Sequence, residues 1–264
     1  LVDIAEEFKL QRATLFLSVR LLDRAMDVFP MRRERLQLLG CACVLIAAKL
    51  EEVYSPSVEE MIDISANTYE RREFISCEME VARALGFRLS GPTCCHFIGH
   101  LLRAAALDDR QLQEHGSRGG GAGGGTSGGG ASGGGLTASR INSTCEENNP
   151  KRSSLAWYLS ELALLDYRFV STRPSLLAAA VVNLTRQTLF PRSTPDNRVW
   201  PPTLAHYAKY SCGELAPLVR LLRECHFKAW DLGKYAAVRT KYLRPERQGV
   251  SESVCCLPEE ALRW

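Results

Sequence analysis

The chain has 264 residues, 45% of them apolar and 24% charged, with a formal net charge of +3. That is the composition of a globular protein long enough for one large or two ordinary domains and a sizeable core. The small charge excess argues against nucleic acid as the main partner, and no apolar run approaches the ~20 residues a membrane span needs. Ten cysteines lie mostly in or beside apolar runs, as at Cys41, Cys43, Cys94 and Cys95. They lack CxxC spacing or a matching histidine, so they read as buried thiols rather than zinc ligands or disulfides.

Leu1 to Leu10 reads as the closing part of a helix. Gln11 to Phe29 is an amphipathic helix with Leu15, Val19, Leu22, Met26 and Phe29 on one face, stopped by Pro30. Leu36 to Glu52, LQLLGCACVLIAAKLEE, carries no charge or strongly polar group from Leu38 to Ala48. A helix apolar all round is buried all round, so this one is predicted to be the centre of a helical bundle. Tyr54 to Pro56 breaks the chain, with Pro56 suited to the first turn of a short helix, Ser57–Ile64. Asn67 and Thr68 offer capping oxygens for a helix from Tyr69 to Leu85, and Gly86 closes it.

Gly91-Pro92 marks a boundary, and Thr93 to Ala106 reads as a helix. Between Gly116 and Gly135 the chain is nearly all Gly, Ser, Ala and Thr. A segment of that composition cannot bury enough surface to offset its ordering entropy, so a flexible insertion is expected from about Arg110 to Pro150. No P-loop pattern follows these glycines. Leu155, Leu159, Leu162 and Leu165 then mark an amphipathic helix ending near Asp166. Arg173-Pro174 opens a nearly all-apolar helix, Ser175–Leu184, and Pro201-Pro202 a short one. Glu214–Phe227 and Leu232–Tyr242 follow, before a tail bearing Pro and Cys.

The two halves repeat one order of elements. An amphipathic helix ends in LLD (Leu21-Leu22-Asp23 and Leu164-Leu165-Asp166), an all-apolar helix follows, then a short helix near proline, then a longer amphipathic one. This predicts an all-α chain of two tandem five-helix bundles, each around its own buried helix. The expected limits are 1–90 and 91–245, the insertion lying in the second, with a tail at 246–264. His96, His100, His115, His206 and His226 have no companions at catalytic spacing, so no enzyme and no cofactor are predicted.

The segments EEFKLQRATLFLSVRLLDR, RERLQLLGCACVLIAAKLEEVYSPSVEEM and ISCEMEVARALGFRLSGPT read in order like a first cyclin box. LAWYLSELALLDYRFV, RPSLLAAAVVNL, WPPTLAHYAKYSCGELAPLV and VRTKYLRPERQGVS resemble a second box and its closing segment. The chain resembles the cyclins of the mitotic A/B type, with the second box closer to the B type. The resemblance implies a non-catalytic subunit that forms a heterodimer with a cyclin-dependent kinase, repositions its αC helix and activation loop, and acts at G2/M in nucleus and cytoplasm. It also implies that Lys49 and Glu78 face the kinase, with Ile46, Leu50, Phe87 and Leu89 as apolar contacts and Glu51 and Glu52 at the rim. Asp3, Leu36 and Gln37 match part of the patch that docks RxL-type substrates or inhibitors. The rest of that patch lies on a helix portion that would precede Leu1, and Asp23 matches a position whose arginine partner lies there. The alternative is a kinase-independent scaffold resembling the two-bundle transcription factors, but that reading calls for a strongly basic face.

Overall fold

The computed structural model describes residues 1–28, 32–117, 149–190, 194–230 and 233–253, with side chains described at all but 109–117 and 253. The Gly-rich tract expected to be flexible lies outside the described residues. All regular structure among the described residues is helical. The first half holds α1 (Val2–Glu7), α2 (Arg12–Val28), α3 (Leu36–Glu51), α4 (Val58–Ile64) and α5 (Arg71–Ala84). The second holds α6 (Cys94–Ser117), α7 (Pro150–Leu164), α8 (Pro174–Leu189), α9 (Asp196–Val199), α10 (Pro202–Ala208), α11 (Cys212–Lys228), α12 (Ala236–Leu243) and α13 (Val250–Ser253). The twin-bundle, all-α architecture is therefore as expected.

α3 is the axis of the first bundle. Every residue from Leu38 to Ala48 is buried, with α2 on one side and α5 on the other. Leu38, Leu39 and Leu45 are buried completely or nearly so. Each such leucine contributes roughly 1.5–3 kcal/mol by leaving water. The small residues Gly40, Ala42, Ala47 and Ala48 let neighbouring helices approach closely.

α2 departs from the single apolar face predicted for it. Met26 is exposed, Val19 and Leu22 are half-buried, and Phe29 lies outside the described residues. Instead Leu17, Leu21 and Ala25 enter the first core, while Leu15 and Phe16 enter the second. A helix between two cores carries two apolar stripes, and a one-face reading merges them.

The helix ends show smaller differences. Pro56 precedes the cap rather than opening α4; Ser57 is the cap, its Oγ accepting from the Glu60 N–H at 3.2 Å while the Glu60 carboxylate accepts from the Ser57 N–H at 2.7 Å. This is a reciprocal capping box. Asn67 and Thr68 do not cap α5. Asn67 is left-handed, and the Thr68 hydroxyl donates back to the Ser65 carbonyl. The cap is Glu70, whose N–H donates to the Glu73 carboxylate at 2.9 Å. α6 runs to Ser117, past the expected end at Ala106, and the final long helix begins at Ala236 rather than Leu232.

The second bundle has two helices with no exposed face along their central turns. α8 is buried from Leu177 to Arg186, as its composition predicts. α7 is buried from Leu155 to Ala163, including Ser160 and Glu161, although its spacing suggests an amphipathic helix. Glu161 is fully buried because Lys241 of α12 donates to both of its oxygens, at 3.0 and 2.9 Å, and the Tyr242 hydroxyl donates at 2.7 Å. Asp166 is a second polar node. It accepts from Arg168 Nε at 3.1 Å and Nη2 at 2.9 Å, and from Cys225 Sγ and the Tyr235 hydroxyl at 3.2 Å each. These donors hold its carboxyl well below the usual range, the Arg168 side-chain bonds most of all. Arg186 is a third, 1% exposed, donating to the Val199 and Arg198 carbonyls at the end of α9.

Candidate functional site

Lys49 stands in the last turn of α3, where its charge complements the helix dipole. Glu78 lies on the neighbouring helix α5. The Lys49 ammonium donates to Glu78 Oε1, so the two residues singled out by resemblance meet directly. The side chains are 46% and 22% exposed, which puts the pair at the surface. Exposed ion pairs contribute only about 0–1 kcal/mol to stability, so the fold does not depend on this one.

The same half of the chain leaves large apolar side chains in water. Leu50, next to Lys49, is 49% exposed, and Phe87, just beyond α5, is 65% exposed, a costly placement for groups of that size. Phe87 also has φ +57°, following Gly86 at φ +58°. The two residues close α5 in a Schellman-like arrangement, the Phe87 N–H donating to the Ala82 carbonyl at 2.8 Å and the Gly86 N–H to Arg83 at 2.9 Å. A left-handed phenylalanine is strained, and here the strain presents an aromatic ring to solvent.

The other expected contacts divide. Ile46 is 4% exposed and belongs to the first core. Leu89 is half-buried against the same core. Glu51 is half-buried at the end of α3. Glu52 is engaged within the chain, contrary to a freely solvated rim charge: its Oε1 accepts from the Gln11 N–H at 2.7 Å and from the Thr14 hydroxyl at 2.5 Å, pinning the start of α2. Sequence reasoning did not single out Ile75, Val53 and Tyr54, which are also large and exposed, the first one turn before Glu78 and the others just beyond α3. Their signal is a large apolar side chain beside a charged one, as at Ile75, where α5 should show only a polar face.

Asp3, Leu36 and Gln37 are all exposed. α1 reaches the start of α3, since a Cβ added at Gly40 would lie 3.2 Å from Leu1 Cδ2. The Asp23 carboxylate makes no hydrogen bond or ion pair with a described residue, and burial pushes its pKa up. It lines a groove of about 510 Å³ between α2, the end of α7 and the start of α8.

Among the described residues no group of three or more His, Cys, Asp or Glu side chains converges as a metal site would. The described cysteines are free thiols, all buried except Cys212. Burial pushes the Cys77 thiol up to about 11 and Cys95 to about 12, so both stay protonated and unreactive at neutral pH. No helix among the described residues is long and apolar enough to cross a membrane.

Two helical bundles in tandem, with an ion pair and exposed apolar side chains on the first, define a twin-bundle helical protein. The family described as "Cyclin, N-terminal domain" matches residues 1–90, and "Cyclin, C-terminal domain" matches residues 138–256. Cyclin-A1-1 of Oryza sativa subsp. japonica is 33% identical over 265 residues, covering 100% of this chain and 44% of the relative. Cyclin-A2-1 of Arabidopsis thaliana is 35% identical over 242 residues, covering 92% of this chain and 45% of the relative. Among solved structures, the viral cyclin from herpesvirus saimiri superposes with a TM-score of 0.61 at 19% identity, over 85% of this chain and 80% of that one, a likeness of fold. The chain belongs to the cyclin family. These relatives are of the A type, where the second box suggests the B type, and the chain spans about half their length.

Proposed function

We propose that the chain is a non-catalytic regulatory subunit of a cyclin-dependent Ser/Thr kinase, controlling progression through the cell cycle at G2/M. The observation that carries this reading is the Lys49–Glu78 pair, with Leu50 and Phe87 exposed on the same bundle. Such a surface offers opposite charges and apolar anchors together, and it contributes little to the chain's own stability.

The mechanism is a population shift. An isolated kinase holds helix αC turned away, so its catalytic Lys–Glu ion pair is not formed. Moving a two-state equilibrium from 1:99 to 99:1 needs about 5.5 kcal/mol of differential binding. Lys49 and Glu78 can give up their mutual bond and instead meet carbonyls and amides of the kinase segment, at about 1.5–3 kcal/mol per charged hydrogen bond. A buried aromatic anchor such as Phe87 adds on the order of 2 kcal/mol. Two charged bonds and one anchor, made in only one position of αC, reach the required magnitude. The activation loop would follow αC.

On the same reading, Asp3, Leu36 and Gln37 form part of a docking site for RxL-type substrates or inhibitors. The carboxylate would take the arginine, and Leu36 the leucine. The complex would act in nucleus and cytoplasm. Adding the chain to a monomeric cyclin-dependent kinase should raise histone phosphorylation and yield a heterodimer on a sizing column. No gain in phosphorylation with any such kinase would overturn the proposal.

A further inference from the structure

α1 is the element that presents Asp3, and it is held between the two bundles. It has six residues, too few to be stable alone. Its buried residues Val2 and Ala5 join the core of the second bundle, while Ile4 and Phe8 lean on the first. Next to this seam lies the buried Glu161–Lys241 pair. The Lys241 ammonium has three protons and three close acceptor oxygens: both Glu161 oxygens, and Glu6 Oε1 of α1 at 3.1 Å. Arg244, one turn further along the same segment, donates to the other Glu6 oxygen at 3.2 Å. Lys241 is 5% exposed, whereas the Glu6 side chain is 25% exposed.

We propose that Lys241 is a positioning residue for the docking patch: anchored on Glu161, it latches α1 through Glu6 and so fixes where Asp3 stands relative to Leu36 and Gln37. The closing segment of the second bundle thus sets the geometry of a surface on the first. The docking role rests on the reading of Asp3, Leu36 and Gln37 given above; the latch does not.

The Glu161–Lys241 half of the network is buried and would report on folding if cut. Glu6 is the informative position. Glu6→Ala leaves the buried pair neutral and intact, and alanine has the higher helix propensity, so any loosening of α1 comes from the lost contacts. Hydrogen exchange on the full chain should show amides at the end of α1 exchanging about tenfold faster in Glu6→Ala, with α3 and α8 unchanged, because only the local opening equilibrium shifts. A fluorescein-labelled RxL peptide should bind Glu6→Ala several-fold more weakly. Unchanged α1 exchange, or equal acceleration in every helix, overturns the latch. Faster α1 exchange with unaltered peptide affinity overturns the positioning role. A peptide that ignores the wild-type chain removes the docking reading and with it the role assigned to Lys241 there, while the exchange result still decides the latch.

Discussion

The two bundles share an order of helices but place their charges differently. In the first, the core around α3 is apolar and the charges Lys49 and Glu78 stand at its rim, paired and exposed. In the second, charges lie inside: Glu161 with Lys241, Arg186 against α9, and the Asp166 carboxylate, held from outside by the exposed Arg168. A rim charge can exchange one partner for another at low cost, whereas a buried one cannot leave its partner without an uncompensated charge. On the proposed function, the first bundle meets another protein while the second holds one shape.

Several substitutions test that contrast. The largest loss of stability is expected for Glu161→Ala, which leaves the buried Lys241 ammonium with only the part-exposed Glu6 carboxylate; breaking a buried pair from one side costs about 3–5 kcal/mol, readable as a fall in the urea midpoint. Next, Leu45→Ala in the first core should cost about 2–5 kcal/mol by the same measurement, through lost burial and the cavity left behind.

Asp166 gives a contribution with a pH signature. Its folded pKa is depressed, chiefly by Arg168, below the unfolded value of about 3.9. The stability it contributes is thus present in full well above that value and is lost as pH falls through it towards the lower folded one. The gap in melting temperature between wild type and Asp166→Asn should stay constant from about pH 7 to 5 and shrink below about pH 4. A gap independent of pH would show that the aspartate is not held by its charge.

At the small end lies Phe87→Gly. Relieving the left-handed phenylalanine should leave stability unchanged or raise it by up to about 1 kcal/mol, even as kinase affinity falls. A clear loss of stability would mean that the ring packs on its own chain.

The apolar helices are easy to read from sequence, because α3 and the core of α8 have no polar side to misplace. Legibility fails where an element serves two neighbours. α2 buries Leu15 and Phe16 one way and Leu17 and Leu21 the other, and α7 hides Glu161 among leucines. A lone acid inside LAWYLSELALL points to a buried counter-ion, but not to a lysine 80 residues away. Ser57-x-x-Glu60 and Ser211-x-x-Glu214 carry the pattern of capping boxes, and both form. At the candidate site, Lys49 and Glu78 look like ordinary surface charges by pattern, and only resemblance joins them. Ile46 and Glu52 cannot be separated from surface positions without knowing what packs over each.

The most direct measurement pairs binding with stability for one variant, Lys49→Ala combined with Glu78→Ala. The contrast between the bundles predicts that it no longer forms a complex with a monomeric cyclin-dependent kinase on a sizing column, while its unfolding free energy stays within about 1 kcal/mol of the wild type. A double variant that still elutes with the kinase at wild-type affinity would contradict the assignment of this face.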